Sequence, residues 1–119
     1  MNLAKQVLKN LLGNNSFMGL SIEQIVKHVC RDMKVSERQI MGKSRTMEVA
    51  LARQLAMFLS KELTSASLAS IGSHIGSRDH STVIHACKNI DKKIHNDSEF
   101  QRKVESMKNE LSDQKTSNL

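Results

Sequence analysis

From Leu3 to Leu111 the apolar side chains recur three and four residues apart, and this spacing constrains the fold more than any other feature. A period near 3.6 lines them along one face of an α-helix. A half-buried strand needs strict alternation, and no stretch of any length alternates. The chain has no proline, and its only aromatic residues are three phenylalanines, which disfavours a β-sandwich and suits an all-α domain. Its 119 residues allow one domain with short appendages and a core that needs no staples. The apolar runs fall well short of the ~20 residues of a membrane span. Cys30 and Cys87 are too few for a disulfide framework and no signal-peptide pattern precedes them, so a reduced, cytoplasmic setting is expected.

Stop and start signals divide the periodic stretch into helices. Leu3, Val7, Leu8 and Leu11 form a short stripe that ends at Gly13-Asn14-Asn15-Ser16. Ser21 with Gln24, and Ser36 with Gln39, are capping-box pairs, each opening a helix, and Gly42 lies just past the second. The basic segment Lys43-Ser44-Arg45-Thr46 follows, with Thr46 placed to cap a long helix to about Leu63 whose apolar face includes Val49, Leu55, Phe58, Leu59 and Leu63. Ser67 opens a short helix through Ile71 and Ile75. Gly76-Ser77-Arg78 interrupts it, and Asp79 starts a helix to about His95. Ser98 with Gln101 predicts a final helix to Leu111. The expected organisation is a helix and loop over residues 1–19 that belong to something upstream, a domain of about six helices over 20–111, and a disordered tail over 112–119.

Short helix, glycine-containing turn, longer helix is the helix-turn-helix layout, in which the second helix enters the DNA major groove with its N-terminal residues nearest the base edges. Here those residues are Arg78, Asp79, His80, Ser81 and Thr82, with His85 one turn on. Val83, Cys87, Ile90 and Ile94 form the core stripe of that helix. Ser81, His85, Lys88 and Lys92 repeat at the same intervals two residues out of phase, which is about 200° around the axis and therefore on the opposite face. Side chains of this kind donate to and accept from bases, and the Thr82 methyl can meet a thymine methyl. For Asp79 and Thr82, plain helix capping explains the spacing equally well.

The formal net charge is +6, distributed as +2 over residues 1–20, +3 over 21–63, +2 over 64–95 and −1 over 96–119. An anionic partner is therefore expected to meet the chain before residue 96. Arg53, Gln54 and Lys61 on the long helix, and the backbone of Thr64–Ser67, are candidates to hold phosphates, which orient a protein without reading sequence. Arg45 can enter an adjacent minor groove, where negative potential favours arginine.

The run from Gly76 to Ile90, GSRDHSTVIHACKNI, resembles the signature of the bacterial chromosomal replication initiator family, DnaA, and Ala52–Met57 and Lys61–Thr64 resemble the helix that precedes it there. The resemblance implies a Trp-repressor-like bundle over residues 20–111, behind a linker helix from an ATPase module. It implies that Asp79, His80, Ser81, Thr82 and His85 meet DnaA-box bases in the major groove. It further implies that Arg45 enters the minor groove, and that Arg53, Gln54 and Lys61 contact the backbone or nearby base edges. The expected partners are double-stranded DNA, the rest of the initiator and, for a full-length protein, acidic lipids; the isolated domain is expected to be monomeric and nucleoid-associated. The chain departs from the usual pattern at Ser44, Met47, Glu48 and Leu51, where the family's loop is often richer in arginine, at Ala52 in place of a proline, and at Ser81 in place of a threonine. ATP belongs to the ATPase module. This chain holds no G-x-x-x-x-G-K-[ST], so no cofactor and no enzymatic activity are expected of it.

Other readings fit less well. His80 and His85 are five apart and off one helix face, and Cys87 falls on the apolar stripe, unlike the paired short spacings of zinc sites. Ser81 and His85 are one turn apart, but no third orienting group accompanies them. The remaining alternatives are a helix-turn-helix transcription regulator of another family, for which no dedicated dimer helix is evident, and a helical protein-interaction module using its methionines.

Overall fold

The computed structural model describes residues 20–117, with side chains described as far as Ser112. The predicted helix over residues 1–19 lies outside the described residues.

Both predicted capping boxes form. Ser21 Oγ accepts from the Gln24 N–H while Gln24 Oε1 accepts from the Ser21 N–H, starting α1 (Ile22–Met33). Ser36 and Gln39 do the same for α2 (Glu37–Met41), which ends on Gly42. Each box satisfies two N–H groups that a helix start otherwise leaves unpaired. Thr46 precedes α3 (Met47–Leu63) without a side-chain cap bond, so that helix is held by burial instead. Ser67 caps α4 (Leu68–His74), and Asp79 caps α5 (His80–Asn96).

α6 (Ser98–Ser117) differs from expectation at both ends. Its first turn is capped by Asp97, whose Oδ1 accepts from the Phe100 N–H, rather than by Ser98. Asp97 is extended at φ −142° and closes α5 as well, so a single residue joins the two helices. The backbone also stays helical beyond Leu111, through residues expected to be disordered; Ser112–Ser117 contains neither glycine nor proline to stop it.

α3 is the central element, packing against α1, α2, α4 and α5. Leu55 and Leu59 are buried as its apolar pattern requires, but so are Ala52, Ala56 and Met57, so the helix is enclosed on more than one face. Ile25 and Val29 of α1, Ile40 of α2, Ile71 and Ile75 around α4, and Val83, Ala86 and Ile90 of α5 close the core around it. Phe100, Val104, Met107 and Leu111 of α6 complete the core, with α6 packing on α5 and α1. Among these apolar residues His28 of α1 is also buried. Arg31 Nη2 donates to its Nδ1 at 3.0 Å, which leaves the ring hydrogen on Nε2, and that hydrogen goes to Glu110 Oε1 of α6 at 2.9 Å. The polar ring is thereby satisfied, and it ties the first described helix to the last.

Candidate nucleic-acid interface

The turn between α4 and α5 is built by close backbone approach. Gly72 O accepts from the Arg78 N–H at 2.7 Å and from the Ile75 N–H at 3.3 Å. A Cβ on Gly72 would stand 2.1 Å from the Arg78 carbonyl oxygen, so only glycine fits there. Gly76 at φ +79° and Ser77 at φ +54° turn the chain through two successive left-handed residues. The space beside Gly76 is filled by the Arg78 guanidinium, which a Cβ on Gly76 would strike.

Asp79 then opens α5. Its Oδ1 accepts from the Thr82 N–H at 3.0 Å and from the Thr82 hydroxyl at 2.9 Å, and these two bonds hold its carboxyl below the usual carboxylate range. The cap is therefore formed, and the Thr82 hydroxyl keeps only its acceptor capacity and its methyl for a ligand. The two stripes of α5 separate as their spacing predicts. Val83 and Ile90 are buried, while Cys87 and Ile94 are half-buried against the core. His80, Ser81, Thr82, His85, Lys88 and Lys92 are exposed. No hydrogen bond or ion pair to another described residue engages the side chains of His80, Ser81, His85 or Lys88. Burial raises both thiols, at Cys30 and Cys87, above their ordinary 9.0, so neither is poised as a thiolate.

The residues expected to surround α5 fall into two groups. Arg45 and Lys61 are exposed and Gln54 is half-exposed, and none of the three is ion-paired to a described residue. Arg53 and Arg78 are different: sequence reasoning places both among the DNA contacts, yet their guanidiniums grip the protein backbone. Arg53 Nε donates to Ile40 O at 2.8 Å, and its Nη2 faces the carbonyls of Gln39, Gly42 and Ser44 at 3.0–3.1 Å. Arg78 Nη1 donates to Ile75 O at 3.0 Å and its Nη2 to Gly42 O at 2.5 Å. Two cations thus converge on one carbonyl. Burial and the neighbouring charge of Arg78 lower the Arg53 pKa from its ordinary value. Met47, at the first position of α3 beside this loop, is 86 % exposed, an apolar side chain open to solvent. The Thr64–Ser67 segment satisfies part of its own backbone, since Thr64 Oγ1 accepts from the Ala66 N–H, while Ser67 Oγ accepts from the Ser70 N–H of α4.

A family model described as the bacterial dnaA protein helix-turn-helix matches residues 22–90. The chain belongs to the DnaA family. It is similar to the chromosomal replication initiator protein DnaA of Chlorobaculum tepidum, with 41% identity over 111 residues covering 93% of this chain and 22% of that protein. The DnaA of Flavobacterium psychrophilum is 42% identical over 112 residues, covering 94% and 23%. That of Lactobacillus helveticus is 40% identical over 108 residues, covering 91% and 24%. The chain therefore spans about a quarter of the length of the DnaA proteins it matches. The matched interval contains the loop that Arg53 and Arg78 hold, α4, the turn after it and α5 as far as Ile90. Among the described residues no helix is long and apolar enough to cross a membrane.

Proposed function

We propose that this chain binds double-stranded DNA sequence-specifically at DnaA-box sites, as the DNA-binding end of a chromosomal replication initiator. The observation that carries this reading is the outer face of α5. A capped, rigid helix presents His80, Ser81, Thr82 and His85 to solvent with the core directly behind them. In the major groove these side chains meet base edges, which differ between all four base pairs. Arg45, in the loop before α3, reaches the adjacent minor groove, and Gln54, Lys61 and Lys88 meet phosphates on either side. Asp79 acts chiefly by fixing the start of the reading helix.

On this reading the chain supplies DNA recognition, and ATP-dependent assembly at the origin belongs to the rest of the initiator, in the cytoplasm at the nucleoid. The isolated domain binds one asymmetric box as a monomer. The test is a titration of box and scrambled duplexes over a range of salt concentrations. Box binding should be tighter at every salt. Log affinity should fall linearly with log salt, with a slope of about −0.9 per phosphate neutralised. Equal affinity for both duplexes would refute sequence reading, and a flat salt dependence would refute the DNA interface as a whole.

A further inference from the structure

We infer that Arg53 and Arg78 are positioning residues, which clamp the loop carrying Arg45 to the helix-turn-helix so that both grooves are read by one rigid head. This inference rests on the DNA-binding reading above. α2 has only five residues, and a helix of that length leaves its last carbonyls without partners inside the helix. Arg53, reaching across from α3, supplies donors to Gln39 O and Ile40 O at that end, and continues to Gly42 O and Ser44 O. The last of these is the carbonyl immediately before Arg45. From the other side Arg78 reaches the same Gly42 carbonyl across 36 residues of sequence, passing through the space that Gly76 leaves open. Arg78 is also the residue before Asp79, the cap of α5. The chain of contacts therefore runs from the minor-groove arginine through Ser44, Arg53, Gly42 and Arg78 to the cap of the reading helix.

The chemistry requires arginine on both sides. A guanidinium offers five N–H donors in a fixed planar fork, whereas a lysine ammonium offers three from one point and cannot span carbonyls of both α2 and the loop. The two like charges sit together because carbonyl dipoles surround them. Among the described residues no carboxylate lies in ion-pair contact with either guanidinium, so the clamp also leaves its positive charge available to the phosphates nearby.

The experiment is a double-mutant cycle on the full chain with box duplex, using R45A, R78K and the double variant, together with ¹⁵N resonances of the free protein. If Arg78 positions Arg45, then R45A costs about threefold less affinity, or better, in the R78K background than in the native one. R53K must show the same coupling from the α3 side. Without DNA, R78K should shift the amide resonances of residues 42–46 and loosen that loop. Losses that simply multiply would mean that Arg78 and Arg45 act independently and would overturn the clamp, as would loop resonances that stay in place. Absence of any preference for box duplex would instead remove the DNA-binding reading, and the resonances would still decide whether the clamp exists.

Discussion

Gly72→Ala puts two opposed effects in direct competition. Alanine is favoured over glycine inside a helix by up to about 1 kcal/mol, so propensity alone predicts a more stable α4. The added Cβ, however, would lie 2.1 Å from Arg78 O, 3.0 Å from Arg78 C and 3.2 Å from Asp79 O. The first distance is more than an ångström short of van der Waals contact, and all three atoms belong to backbone that no rotamer change can move. The turn must open, which stretches the 2.7 Å bond from the Arg78 N–H to Gly72 O and displaces the cap of α5. Overpacking typically costs about 1–3 kcal/mol, and against backbone atoms this close it falls at about 2–3 kcal/mol, which outweighs the propensity gain. Urea denaturation followed by circular dichroism should therefore show a net loss of about 1–2 kcal/mol at an unchanged m-value. Ser73→Ala, at the next and exposed position of the same helix, isolates the propensity gain and should be neutral or slightly stabilising. The displaced α5 should also weaken box binding by more than the unfolded fraction explains. A Gly72→Ala protein as stable as the native one would refute the close approach of α4 to the start of α5.

Three further outcomes follow from the geometry. His85→Ala should reduce the preference for box over scrambled duplex by about 1–3 kcal/mol, measured by competition titration, because an exposed α5 side chain free of internal bonds loses only its base contact; equal losses on both duplexes would remove His85 from the reading face. Asp79 is held below the ordinary carboxylate pKa of 3.8, so its contribution is present above that value and lost as the pH falls through the lower folded value. Thermal melts of native and Asp79→Asn protein, in which asparagine still caps without titrating, should converge as the pH drops below 4, and a constant gap would show that the carboxylate is not the source. Ser60→Ala should stabilise the fold by about 1 kcal/mol by chemical denaturation, since the Ser60 hydroxyl is buried with no hydrogen-bond partner among the described residues. A loss of stability there would mean that the hydroxyl is satisfied after all.

The elements legible in the sequence were those whose causes are local. The capping boxes at Ser21 and Ser36, and the two faces of α5, follow from residues three and four apart, a distance at which pattern and contact coincide. The start of α6 departs from the expected Ser98–Gln101 box because a second residue with cap spacing stands one position earlier. Asp97 before Phe100 and Ser98 before Gln101 both have cap spacing, and the carboxylate took the role. What could not be read were long-range bonds to groups without a sequence signature. Arg53 and Arg78 stand among the candidate DNA contacts in the sequence, and nothing in it announces that their guanidiniums also bond main-chain carbonyls up to 36 residues away. The burial of His28 in an apolar helix carries no local signal, because the residue that completes its bonding, Glu110, is 82 positions further on. The burial of Ala52 and Met57 arises from the central place of α3 between four helices, which its own periodicity does not encode.

The clamp grips only main-chain oxygen, at Gln39, Ile40, Gly42, Ser44 and Ile75, and is therefore blind to the side chains it holds in place. A mount of this kind separates shape from content. Lys43, Ser44, Arg45 and Thr46 can be rewritten one at a time while the frame that presents them stays where it is. Met47, 86 % exposed at the start of α3, stands beside that frame without entering it. Recognition can therefore be retuned by surface substitution without reopening the folding problem, and the loop is the natural place to graft a new DNA preference onto this scaffold.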